Sequence, residues 1–122
     1  AADQQLRSQG FDNTTLVRGA SLTTASDSSD WMISLLSSSI TTRSHADALT
    51  GLMSRQTSRS GIPAGSPGIR VANKTGAFGR YVHDVGIVYH PKTTYVLSVL
   101  GEGSSYAQIA DLTREINKVM SQ

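Results

Sequence analysis

Apolar positions recur at two periods along this chain. Between Ile69 and Val99 they form three β-branched runs with short links, which predicts strands at about 69 to 77, 82 to 89 and 94 to 100. His90-Pro91-Lys92-Thr93 reads as the turn between the last two, and three strands so closely joined imply an antiparallel meander. Elsewhere the spacing is helical. Leu6 sits in a short helix from Ala2 to Gln9 that Gly10 stops, and Met32, Leu35 and Leu36 mark one from about Ala25 to Ser38, flanked by Trp31. Leu49, Leu52 and Met53 mark another that runs to about Gln56. Ile109, Leu112, Ile116 and Met120 form the stripe of a closing helix, predicted to lie across the sheet.

Polar residues punctuate these runs. Thr24 with Asp27, and Ser44 with Asp47, have capping-box spacing, and Ser104 or Ser105 caps the last helix. Phe11 to Thr15 reads as a loop, and Thr57 to Gly68, with Pro63 and Pro67, as the connection into the sheet. The two middle helices should pack as a pair. The fold class is therefore α/β of the α+β type: one antiparallel sheet of about three strands with flanking helices. It reads as a single domain over residues 1–122, with a helical part at 1–60 and the strands and closing helix at 61–122.

Composition narrows the function classes. A chain of 122 residues, 38% hydrophobic and 16% charged, fits one globular domain. Its apolar runs fall far short of the roughly 18 to 20 residues that span a bilayer, which predicts a soluble chain. The net charge of +2 is spread thinly, so nucleic acid is not an expected partner. The absence of cysteine excludes disulfides and thiolate metal sites. The opening Ala-Ala-Asp-Gln-Gln-Leu has neither a basic segment nor an apolar one, so no signal peptide is visible. It also lacks an initial methionine, as expected of a processed chain or a piece of a longer protein.

Lys74-Thr75-Gly76, at the end of the first strand, places a cation and a hydroxyl beside backbone that a ligand can approach closely. Taken alone, the tripeptide fits a strand running into a glycine-rich turn equally well. Arg80 is a candidate carboxylate ligand or a solvated loop residue. His45, His83 and His90 lack metal-ligand spacing, and His83 with Asp84 reads as a turn or capping pair. Neither a metal nor a cofactor is predicted. Trp31 and Tyr106 read as core or boundary aromatics.

The surrounding residues carry a family resemblance. Val71-Ala72-Asn73-Lys74-Thr75-Gly76-Ala77-Phe78-Gly79, His83-Asp84-Val85-Gly86-Ile87-Val88 and Tyr95-Val96-Leu97-Ser98-Val99-Leu100 resemble the C-terminal portion of the penicillin-recognising serine hydrolases, the class A β-lactamases and penicillin-binding proteins. Gln5 to Thr14 is similar to the segment just after that family's Ser-Asp-Asn motif, Thr23 to Asp27 to the start of a later helix, and Ile62-Pro63-Ala64-Gly65 to the approach to the Lys-Thr-Gly strand.

Of the family motifs Ser-x-x-Lys, Ser-Asp-Asn and Lys-Thr-Gly, only the last is present. Val71, Tyr89 and Glu115 stand three residues before the three lysines, so no lysine has the nucleophile's spacing. Ser26-Asp27-Ser28 falls too late to be Ser-Asp-Asn and reads as helix N-terminal chemistry. The stretch from Leu16 to Leu22, a short loop where the family places its deacylating glutamate, holds no glutamate. A slowly deacylating penicillin-binding protein is thus as plausible a parent as an efficient β-lactamase.

The resemblance implies that Lys74 shapes the site's electrostatics, Thr75 bonds a substrate carboxylate and Gly76 permits close approach. It also implies that the backbone N–H of Ala77 is one oxyanion-hole donor and that Arg80 contributes to carboxylate binding. It further implies an exported protein, periplasmic, secreted or in the cell envelope, acting on β-lactams or D-alanyl cell-wall peptides through an acyl-enzyme. The missing segment, or a second copy forming a dimer, would cover the sheet edge. The alternative is a non-catalytic binding or assembly module that keeps the fold.

Overall fold

The computed structural model describes residues 2–17 and 20–122. Arg18 and Gly19, within the stretch read as a short loop, lie outside them. The elements run α1 (Ala2–Ser8), β1 (Thr15–Val17), β2 (Ala20–Leu22), α2 (Ala25–Ser37), α3 (Arg43–Ser54), β3 (Val71–Phe78), β4 (Tyr81–Tyr89), β5 (Thr94–Glu102) and α4 (Tyr106–Met120). β3, β4 and β5 form the predicted antiparallel meander in that order, with Lys74 opposite Val85 and Asp84 opposite Val99. Gly79, at φ +59°, makes the two-residue β3–β4 turn with Arg80; a positive φ at the first central position suits the right-handed twist of a hairpin.

Helices cover both faces of this sheet. On one, Met32 and Leu35 of α2 and Ala46 and Met53 of α3 pack with Ala72 and Ile87. On the other, Ile109 of α4 and Ile62 of the connecting segment pack with Val71 and Val88. Residues 72 and 87 thus face α2 and α3 while 71 and 88 face α4, the alternation a pleated strand requires.

Several predicted details differ. Residues 15–17 and 20–22 form a small antiparallel ladder rather than a loop, so the part read as helical also contains strands. The cap of α3 is Thr42, whose Oγ1 accepts the His45 N–H at 3.2 Å; Ser44 and Asp47 already lie inside the helix. The buried face of α3 is Ala46, Thr50 and Met53, spaced i, i+4 and i+7, while Leu52 is 63% exposed. Thr50 can be buried because its hydroxyl donates to Asp47 O at 3.2 Å.

The predicted stripe of α4 is rotated in the same way. Ile109, Ala110 and Thr113 are buried and Leu112 is exposed. The loop carrying Gly65 presses on this helix so closely that a Cβ there would lie 2.4 Å from Ala110 O. A small residue and a threonine that bonds back to Ile109 O at 2.7 Å fit that contact better than leucine. Ser105 caps α4 in a full capping box with Gln108.

α2 begins at the predicted Thr24, whose hydroxyl accepts the Asp27 N–H at 3.1 Å. The Asp27 carboxylate does not close a box. It turns to the Asn13 N–H at 2.9 Å and the Thr14 hydroxyl at 2.7 Å, tying the segment after α1 to α2.

Candidate active site

β3 is an edge strand, and its hydrogen-bond phase determines what it offers outward. The Tyr89 N–H donates to Arg70 O at 3.0 Å, so the main chain of Arg70, and by alternation that of residues 72, 74 and 76, points to β4. The main-chain groups of Val71, Asn73, Thr75 and Ala77 therefore face away from the sheet. Side chains close the upstream part of this edge. Arg59 Nη2 donates to Val71 O at 3.2 Å, Gln56 Nε2 to Asn73 O, and Lys74 Nζ to Thr75 O. Ala77 lies beyond these three donors, with its N–H and C=O directed to the open side.

Lys74 and Ala77 are exposed, and Thr75 and Gly76 half-buried. A Cβ built on Gly76 meets nothing within 4 Å, so the missing side chain leaves open space over the strand rather than solving a packing problem. Lys74 also borders a largely apolar recess of about 220 Å³ walled by Leu6, Phe11, Trp31, Met32 and Val85. Asp27 also lines that recess, so the part of the surface suited to an anion is the strand edge itself, where the Lys74 cation stands beside the outward N–H groups.

A buried polar cluster anchors this strand. Asn73 and Asp84 are fully buried, and Asn73 Nδ2 donates to Asp84 Oδ1 at 2.9 Å. The Ile62 N–H donates to Asp84 Oδ2 at 2.8 Å, and Arg59 Nη1 donates to Asn73 Oδ1 at 3.4 Å. Burial pushes the Asp84 carboxyl above its ordinary value of 3.8, against the lowering pull of Asn73, the Ile62 N–H and Arg59. Asp84 sits opposite Thr75, so the cluster fixes the strand just where the candidate residues begin.

The structure brings Lys74, Thr75, Gly76 and Ala77 together on one edge. Arg80 is not beside them: its Nε pairs with Glu102 on β5 at 3.2 Å, across the hairpin turn. Asp84 is no turn or capping residue but the buried centre of β4, and His83 Nδ1 accepts the Gly101 N–H at 3.2 Å. His90 holds the β4–β5 turn, its Nδ1 accepting the Lys92 N–H at 3.1 Å. Among the described residues no three His, Cys, Asp or Glu side chains form a metal-binding group, and no helix is long and apolar enough to cross a membrane.

Sequence reasoning missed Gln56, Arg59, Asn73 and Asp84 as parts of this edge. An acid standing inside an apolar strand was the available signal for Asp84. Nothing local marks Gln56 and Arg59, which reach β3 from 17 and 12 residues upstream of their acceptors.

Comparison with known proteins gives a consistent picture. A family model described as the beta-lactamase enzyme family matches residues 1–121. Among solved structures, PBP-A is similar with a TM-score of 0.85 and 23% identity, over 97% of this chain and 49% of its own. A mutant of PBP-A, determined as an acyl-enzyme complex with penicillin G, is similar with a TM-score of 0.84 and 23% identity, over 97% of this chain and 50% of its own. A beta-lactamase from Sphaerobacter thermophilus follows with a TM-score of 0.79 and 24% identity, over 89% of this chain and 44% of its own. The chain thus spans about half the length of these structures. No curated protein matches the sequence.

Proposed function

Because the chain belongs to the beta-lactamase enzyme family, we propose that it forms one wall of a serine acyl-transfer site acting on β-lactams or on D-alanyl cell-wall peptides. The serine would come from outside residues 1–122. The single observation that carries this reading is the open β3 edge at Thr75 to Ala77, with Lys74 beside it. On this reading the Thr75 hydroxyl and Lys74 hold the substrate carboxylate. The Ala77 N–H receives the acyl oxygen as charge develops on it, and Gly76 lets the ligand lie against the strand. Arg80 would contribute only by leaving Glu102.

Such substrates lie outside the cytoplasm, so we also assign the protein to the exported class. The outer edge of β5 is the surface we assign to a covering partner, either a segment from outside residues 1–122 or a second copy. The second reading is a binding module without catalysis, which the absence of Ser-x-x-Lys from the full gene product would favour.

Backbone amide spectra of the chain titrated with an acylated D-alanyl-D-alanine test the site. The Thr75 and Ala77 resonances should shift, and Thr75→Val should weaken binding by about tenfold, the loss of one hydrogen bond to a charged group. Shifts elsewhere, with Thr75 and Ala77 unmoved, would contradict the assignment.

A further inference from the structure

An extended ligand that adds to β3 as a strand needs both bonds of each outward pair: its C=O must receive an N–H, and its N–H must find a carbonyl. Along β3 the outward carbonyls of Val71 and Asn73 are already engaged by Arg59 and Gln56, and that of Thr75 by Lys74. Only at Ala77 is the exchange open on both sides. An antiparallel ligand paired there meets, one residue further along its own chain, the Thr75 hydroxyl and the Lys74 cation. If the ligand continued as peptide past that point, its next N–H groups would face carbonyls that already have donors. Each would stay unpaired or have to displace a side chain, and either weakens binding.

We propose that Gln56 and Arg59 are specificity-determining residues that close the edge upstream of Thr75, so that the site accepts a peptide chain ending in a free carboxylate and rejects one that runs on. This inference rests on the proposed acyl-transfer reading and extends it from the chemistry of the ligand to its length and register. The two side chains are well placed for the task. Gln56 follows the C-terminus of α3, and Arg59 is braced by Asn73 Oδ1 within the buried Asp84 cluster, so neither stop is a loosely held surface group.

The test compares two probes on the whole chain by calorimetry: an acylated D-alanyl-D-alanine with a free carboxylate, and the same peptide extended by five residues past it, enough to run alongside Val71. The unmodified chain should bind the free acid about tenfold more tightly, the equivalent of one or two unmade hydrogen bonds. Gln56→Ala should narrow that gap by improving the extended probe while leaving the free acid unchanged. Arg59→Lys, which keeps the cation and loses the planar fork, should narrow it less. An unchanged gap in Gln56→Ala would overturn the inference.

A ligand-free readout keeps it separate from the functional reading. Hydrogen exchange of the Gln56 carboxamide protons should be clearly slower than that of a solvent-exposed glutamine. Should neither probe bind the unmodified chain, the acyl-transfer reading falls and this exchange decides the closed edge alone. Slow exchange supports the closed edge, and exchange at the exposed rate overturns it.

Discussion

Asp84 shows how one residue can serve the site without touching a ligand. Its carboxyl is fully buried opposite Thr75 and accepts from the Asn73 amide and the Ile62 main chain. Gly61 lies against it so closely that a Cβ there would come within 2.4 Å of Asp84 Oδ2, which leaves no room for a larger residue. Because burial raises the folded carboxyl's pKa above 3.8, the folded state keeps a proton that the unfolded chain releases. That contribution to stability is present in full below 3.8 and is lost as pH rises towards the folded value. Thermal unfolding across this range should therefore show the stability difference between the unmodified chain and Asp84→Asn falling as pH rises, then levelling. A difference that grows with pH would mean that Arg59 and the two donors outweigh burial.

At the scale of elements, the sheet and the starts of α2 and α4 were legible because their signals are local. β-branched runs mark the three strands, and Thr24 and Ser105 announce helices by hydroxyls that accept from the third residue on. What misled was treating apolar side chains as the only buried ones. Thr50 and Thr113 are buried because a helical threonine satisfies its own hydroxyl, and their presence turns Leu52 and Leu112 outward. The β1–β2 ladder was missed because three-residue strands carry too few positions to show a period.

Of the candidate site, the Lys74 to Ala77 line was readable from the motif. Its upstream closure was not, since Gln56 and Arg59 act across sequence distance. β5 carries the element-scale prediction. Its Tyr95 to Leu100 stretch is half-buried throughout and, among the described residues, has no strand on its outer side. A nine-residue edge of this kind, without proline and charged only at its last residue, Glu102, is open to pairing with another chain, which is the partner surface proposed above. Light scattering should show a mass above the monomer that falls when Val96 is replaced by lysine. A monodisperse monomer over the same concentrations would contradict it.

The molecule as a whole has helices on both faces of a small sheet, an open edge on β3 with a cation and an outward N–H, and no lysine preceded by serine at the nucleophile's spacing. It spans about half of the solved structures it resembles. Those features together support the proposal of a wall that would bind and polarise a substrate attacked by a serine on another segment. The most direct test is the intact mass of this chain, and of the longest product of its gene, after incubation with a penicillin. One penicillin adduct is expected on the longer product and none on residues 1–122 alone. An adduct on this chain by itself, or none on either, would contradict the proposal.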